Sequence, residues 1–155
     1  MDFDKVLEFF RALNDQRVGY VVFGAVALAA HGIVRATMDI DLFVDSTPDN
    51  VARLRRALQA VWDDPEIEQI TAEDLGGDYP AIQYGPPGEE FTIDLLSRLG
   101  EAFRYHELES ELVMLGEVPI CVVTPRMLYE MKRDTVRLKD RADAEALKAR
   151  FGFED

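Results

Sequence analysis

Residues 20–45, YVVFGAVALAAHGIVRATMDIDLFVD, restrict the fold more than any other part of the chain. An apolar run of strand length stops at Gly24, an Ala-rich segment continues to Ala30, and a second apolar run opens with Asp39-Ile40-Asp41. Side chains two apart on a strand point to one face. Ile40, Leu42 and Val44 therefore face a core, while Asp39 and Asp41 face the other way together, with Phe43 on their side. Acidic residues are depleted in strands, and two carboxylates this close repel unless a cation lies between them. Oxygen ligands at this density suit a hard divalent ion, Mg²⁺ or Mn²⁺, whose coordination is usually completed by substrate phosphates. At Gly24 the missing Cβ lets a phosphate approach the backbone N–H groups of Gly24-Ala25. A tight turn from strand to helix needs a glycine there even without a ligand.

The rest of the chain supplies the frame. Phe3, Val6, Leu7, Phe10 and Leu13 recur at helical spacing and predict a helix over 3–13. Strands over 19–23 and 39–45 flank a short helix from Gly24 to Ala30, which Gly32 ends. Ser46-Thr47-Pro48 predicts a cap and an early proline for a helix whose buried stripe is Val51, Leu54, Leu58 and Val61. Residues 63–79 are acidic and aperiodic and predict a mobile loop bordering a site. AIQY (81–84) and FTIDLL (91–96), joined by GPPGEE, predict a hairpin with Thr92 and Asp94 on one face. Asp94 is thus a third carboxylate on a strand. Residues 112–115 and 118–123 predict another hairpin, Thr124-Pro125 the cap of a helix to about Leu138, and Asp140 the cap of a last helix to Arg150. No repeat or linker divides the sequence, so one domain over 1–155 is expected. Three carboxylates can hold two ions, one gripping leaving phosphates and one activating a hydroxyl, the layout for in-line phosphoryl or nucleotidyl transfer.

Charge narrows the partners. A net charge of −13 disfavours a broad nucleic-acid footprint. Arg53, Arg55, Arg56, Lys132, Arg133, Arg137, Lys139 and Arg141 stand against that background, mostly as solvated helix faces. Cys121 is the only cysteine and cannot form an internal disulfide, the first residues lack a signal peptide, and the longest weakly polar run, 21–34, is too short to span a bilayer. A cytoplasmic protein without membrane association is expected. With two histidines there is no imidazole cluster, and His31 reads as a helix-end residue.

Gly24-Ala25 followed by Asp39-Ile40-Asp41 resembles the Gly-[Gly/Ser]…Asp-x-[Asp/Glu] signature of the DNA polymerase beta-like nucleotidyltransferase superfamily. RATMDIDLFV, FTIDLL and TPRMLYEMKRDTVRLKDRADAEAL are similar, in order, to further blocks of small bacterial AbiEii-like and minimal nucleotidyltransferases. The resemblance implies an α+β, mixed α/β fold: a mixed central sheet flanked by helices, with a C-terminal helical segment. It implies an NTP bound with Mg²⁺ and transfer of a nucleoside monophosphate to an acceptor hydroxyl, in a toxin–antitoxin or abortive-infection setting. Carried onto this sequence, Asp39, Asp41 and Asp94 would be the metal-binding and catalytic carboxylates. Gly24 and Ala25 would hold the triphosphate, Lys132 and Lys139 would be phosphate contacts, and Arg35 and Thr37 would orient a carboxylate or touch a phosphate. The acceptor is left open between a protein, a tRNA end and a small molecule, and a partner protein or a homodimer fits the small size. Ala25 stands where many relatives have serine. A catalytically weak nucleotidyltransferase fold acting as a binding module, such as an antitoxin, is therefore the alternative.

Overall fold

The structure, a computed structural model, describes residues 2–34, 39–77, 81–133 and 138–154, and for Leu138 and Lys139 the backbone alone. The amphipathic pattern of the first residues forms helix α1 (Phe3–Asp15), whose first turn is capped by Asp2 accepting from Lys5 N at 3.3 Å. It leads into strand β1 (Tyr20–Phe23), helix α2 (Gly24–Ala30) and strand β2 (Asp39–Val44). Helix α3 (Pro48–Val61) follows with Pro48 in its first turn. Its N-cap Thr47 makes no side-chain capping bond, so here proline and not a hydroxyl sets the start.

The acidic stretch expected to be a mobile loop is instead ordered by apolar anchors. A 3₁₀ turn (Pro65–Gln69) and helix α4 (Ala72–Leu75) put Ile67, Ile70 and Leu75 into the core. The first expected hairpin is β3 (Ala81–Tyr84) with β4 (Thr92–Leu96). Then comes an unexpected element, a hairpin of two-residue strands, β5 (Arg98–Leu99) and β6 (Phe103–Arg104). The second expected hairpin, β7 (Ser110–Leu115) with β8 (Val118–Val123), precedes helices α5 (Pro125–Arg133) and α6 (Leu138–Phe151). Thr124 caps α5 as its sequence predicts, its hydroxyl accepting from Met127 N at 3.2 Å. Asp140 does not cap α6, which begins two residues earlier.

Six strands form one mixed sheet in the order β3-β4-β2-β1-β8-β7. β2 runs antiparallel to β1 and parallel to β4, and β1 runs parallel to β8. Tyr20, Val22, Ile40, Leu42, Val44, Ile93 and Leu95 share the face that α1 and α3 cover, and all are buried. Phe9, Phe10, Trp62 and Phe91 complete that core through tilted and edge-on ring contacts. Asn50 of α3, 1% exposed, ties the near ends of β1 and β2 together: it accepts from Gly19 N at 2.6 Å and donates to the carbonyls of Gly19 and Asp45 at 3.0 and 2.8 Å. The other face carries Asp39, Asp41, Thr92 and Asp94, and on it Phe43 packs against Phe23 with ring centroids 4.5 Å apart. Among the described residues no helix is long and apolar enough to cross a membrane.

Candidate active site

Strand register decides which carboxylates meet. In the parallel ladder between β2 and β4, Asp41 stands directly beside Asp94 and Asp39 beside Thr92. Neighbours in register point to the same face and are about 5 Å apart across a sheet. The antiparallel ladder with β1 puts Phe23 beside Asp41, so the chain leaves β1 at Gly24 hard against that carboxylate. Gly24 has φ +72°, and a Cβ there would lie 2.9 Å from Asp41 Cγ. Only glycine meets both conditions, the left-handed backbone and the missing side chain.

The carboxylates are electrostatically coupled. Burial, reinforced by the charge of Asp94, a hydrogen bond with Asp94 and the charge of Asp39, pushes the Asp41 carboxyl up to about 7, while Lys132 pulls it down. Among the described residues no three acidic, imidazole or thiol side chains stand ready-gathered to hold an ion. Asp39 Oδ1 accepts from the Thr92 hydroxyl at 2.5 Å. The donor set still fits a hard divalent cation: three carboxylates on one face, with Asp41 held above the ordinary carboxylate range by its burial and by its neighbours.

These residues floor a cleft of about 750 Å³. Phe23, Gly24 and Ala25 border it at the β1–α2 turn, and Leu99–Phe103 of the β5–β6 hairpin form another wall. Leu128, Met131 and Lys132 from α5, with Asp140 and Asp143 from α6, form the remaining one. The structure thus brings Gly24, Ala25, Asp39, Asp41, Asp94 and Lys132 of the expected set to one place. Lys132, expected as a phosphate contact, is ion-paired: Nζ lies 3.3 Å from Asp140 Oδ1 and 3.0 Å from Asp143 Oδ2, with Asp143 1% exposed. Arg35 and Thr37 lie outside the described residues, as does the Lys139 side chain. His31 ends α2 as expected, its Nε2 2.7 Å from the Val123 carbonyl oxygen.

Three contributors were not singled out from sequence. Thr92 as the partner of Asp39 needed the register between β2 and β4. Asp143 as a wall residue needed the packing of α6 on α5. The β5–β6 hairpin has strands too short to show alternation.

The chain matches the family model described as nucleotidyl transferase AbiEii toxin, type IV TA system, over residues 9–147. It belongs to the AbiEii nucleotidyltransferase family. The fold of this AbiEii-family protein is shared with solved nucleotidyltransferase structures. It superposes with TM-score 0.58 on the candidate nucleotidyltransferase TM1012 from Thermotoga maritima, at 16% identity, covering 97% of this chain and 93% of that one. ANT(2″)-Ia in complex with adenylyl-2″-tobramycin gives TM-score 0.57 at 12% identity, covering 95% and 87% of the two chains. The solution structure of the antibiotic-resistance factor ANT(2″)-Ia gives 0.59 at 15% identity, covering 98% and 86%. At these identities the likeness is one of fold. No curated protein matches the sequence.

Proposed function

We propose that this AbiEii-family protein moves a nucleoside monophosphate from an NTP to an acceptor hydroxyl in a divalent-metal-dependent reaction, with Asp39, Asp41 and Asp94 as the catalytic carboxylates. The observation that carries this reading is the β2–β4 register, which sets Asp41 beside Asp94 while Asp41 itself abuts the Gly24 turn. A bound Mg²⁺ or Mn²⁺ would neutralise the carboxylates, polarise the phosphates and lower the proton affinity of the acceptor hydroxyl. Asp41, central in the trio, and Asp39 would hold the cation that accompanies the triphosphate. Gly24 and Ala25 would receive the phosphates through backbone N–H groups, which the alanine keeps although it lacks a serine hydroxyl. Asp94, nearest the β5–β6 hairpin in sequence, would hold the second cation and accept the acceptor's proton. The acceptor oxygen forms its bond to the α-phosphorus as the bond to the β-phosphate oxygen breaks, and pyrophosphate leaves. The wall formed by Lys132, Asp140 and Asp143 would keep a fixed positive group close to the trio.

The family description points to the toxin half of a toxin–antitoxin pair, so a partner protein belongs to this reading. The acceptor is a protein hydroxyl, a tRNA end or a small molecule such as an amino sugar. Incubation with α-labelled NTPs and Mg²⁺ in the presence of each acceptor class tests the proposal. Transfer of label with release of pyrophosphate, abolished in Asp94→Asn, supports it. Nucleotide binding without pyrophosphate release on any acceptor would leave a nucleotide-binding module in its place.

A further inference from the structure

The β5–β6 hairpin is the least expected element of the chain, and it stands in the wall of the cleft. Leu99 and Phe103 are directly paired across its ladder, as are Arg98 and Arg104. Residues paired across a ladder share a face, and the next pair along takes the opposite one. Leu99 and Phe103 accordingly line the cleft with the three carboxylates. Arg98 and Arg104 line a separate hollow of about 190 Å³ behind the hairpin. Arg104 donates to Glu101 at 2.6 Å and Arg98 to the Gly77 carbonyl at 3.5 Å. Leu99 stays 41% exposed, so its apolar side chain is available at the cleft wall. The wall between the pair is small: Gly100 at φ +61° and Ala102 fill the tip with Glu101.

Resting on the nucleotidyltransferase reading, we propose that Leu99 and Phe103 are the platform on which the nucleobase of the NTP lies. The triphosphate belongs with the carboxylates and their cations, and a cleft of this volume has room for the rest of a nucleotide. The uncharged, flat part of the substrate then meets the wall that presents an aromatic ring and an isobutyl group, while on the opposite wall Leu128 and Met131 are buried and the Lys132–Asp140–Asp143 ion pairs stand beside them. Stacking on a ring tolerates every base, because each has a π-face. The only polar side chain on this wall, Glu101, already accepts from Arg104. The hairpin therefore binds the base by surface contact, and all four NTPs bind within a few-fold of one another.

Titration calorimetry of MgATP, MgGTP, MgCTP, MgUTP and Mg-tripolyphosphate into wild type, Phe103→Ala, Phe103→Leu and Phe103→Trp tests this. Wild type binds all five. Phe103→Ala and the volume-preserving Phe103→Leu each weaken the four NTPs by about tenfold, the size of one lost base–aromatic stack, leave tripolyphosphate unchanged, and Phe103→Trp restores NTP binding. Unchanged NTP affinity in Phe103→Ala and Phe103→Leu would overturn the platform while leaving the nucleotidyltransferase reading intact. Equal loss of tripolyphosphate would overturn it too, by showing that the ring only shapes the phosphate site. A wild type that binds neither NTP nor tripolyphosphate would remove both readings together.

Discussion

Replacing Asp41 by asparagine should make the metal-free protein more stable, although it removes a carboxylate proposed to be essential. Burial and the neighbouring Asp94 and Asp39 move the Asp41 carboxyl from its ordinary 3.8 to about 7. At about 1.4 kcal/mol per pH unit this is a ceiling of about 4 kcal/mol of repulsion and desolvation in the ionised, folded state. The cleft is open to water and salt on one side, so about half of that, roughly 2 kcal/mol, is the working value. The folded carboxyl binds its proton more tightly than the unfolded one. Stability from this group is therefore fully present below about pH 4, falls as pH rises toward 7, and is flat above. Asparagine removes that loss. In EDTA at pH 8 the Asp41→Asn variant should melt about 4–8 °C above wild type, at 2–4 °C per kcal/mol for a chain of this size. The gap should shrink to about half at pH 5.5 and vanish near pH 4. Groups that do not interact with Asp41 cancel in the difference. Adding millimolar Mg²⁺ at pH 8 should raise the melting temperature of wild type and leave the variant where it was. A melting-temperature gap that does not change between pH 5.5 and 8, or a variant less stable than wild type at pH 8, would refute the argument that these carboxylates repel in the absence of a cation.

Other substitutions test the frame of the site. Gly24→Ala puts a Cβ into a φ +72° backbone and against Asp41, so it should cost about 1–2 kcal/mol and weaken Mg–NTP binding in calorimetry more than it lowers the melting temperature. Lys132→Met removes the ammonium 3.0 Å from Asp143 Oδ2, and Asp143 is 1% exposed. Thermal unfolding should show a loss of about 3 kcal/mol, most of it recovered when Asp143→Asn is added, because the penalty is that of a buried carboxylate losing an ion-pair partner. Asn50→Ala removes the Asn50 bonds to the Gly19 N–H and the Asp45 carbonyl, and one of the two bonds to the Gly19 carbonyl, which still accepts from Asp45 N at 3.2 Å. Urea unfolding should show a loss of about 2 kcal/mol with NTP affinity unchanged, since Asn50 is on the far side of the sheet from the carboxylates.

What the sequence made legible was whatever repeats at a period or obeys a turn rule. The alternation in DIDLFV set Ile40, Leu42 and Val44 against Asp39 and Asp41, and all three apolar residues are fully buried. The same alternation in FTIDLL put Asp94 on a face with Thr92. Glycine at 24 and the Thr124-Pro125 pair mark elements that begin where expected. Contacts between distant segments were not legible. The pairing of Asp41 with Asp94, 53 residues apart, and of Lys132 with Asp143 depends on strand register and on helix packing, neither of which a single sequence states. Asp140 illustrates the ambiguity: an acidic residue near a helix start serves equally as a cap or as an ion-pair partner, and here it meets Lys132. Residues 65–75 looked loose because acidic residues outnumber the large apolar ones there, yet Ile67, Ile70 and Leu75 are each buried.

The central claim is that Asp39, Asp41 and Asp94 make a site for a cation-bound nucleoside triphosphate. Titration of each NTP into wild type and Asp41→Asn, once with Mg²⁺ and once with EDTA, addresses it directly. Saturable binding in wild type that requires Mg²⁺ and is lost in the variant is the predicted result. Binding that is equally strong in EDTA, or that persists unchanged in Asp41→Asn, would contradict it.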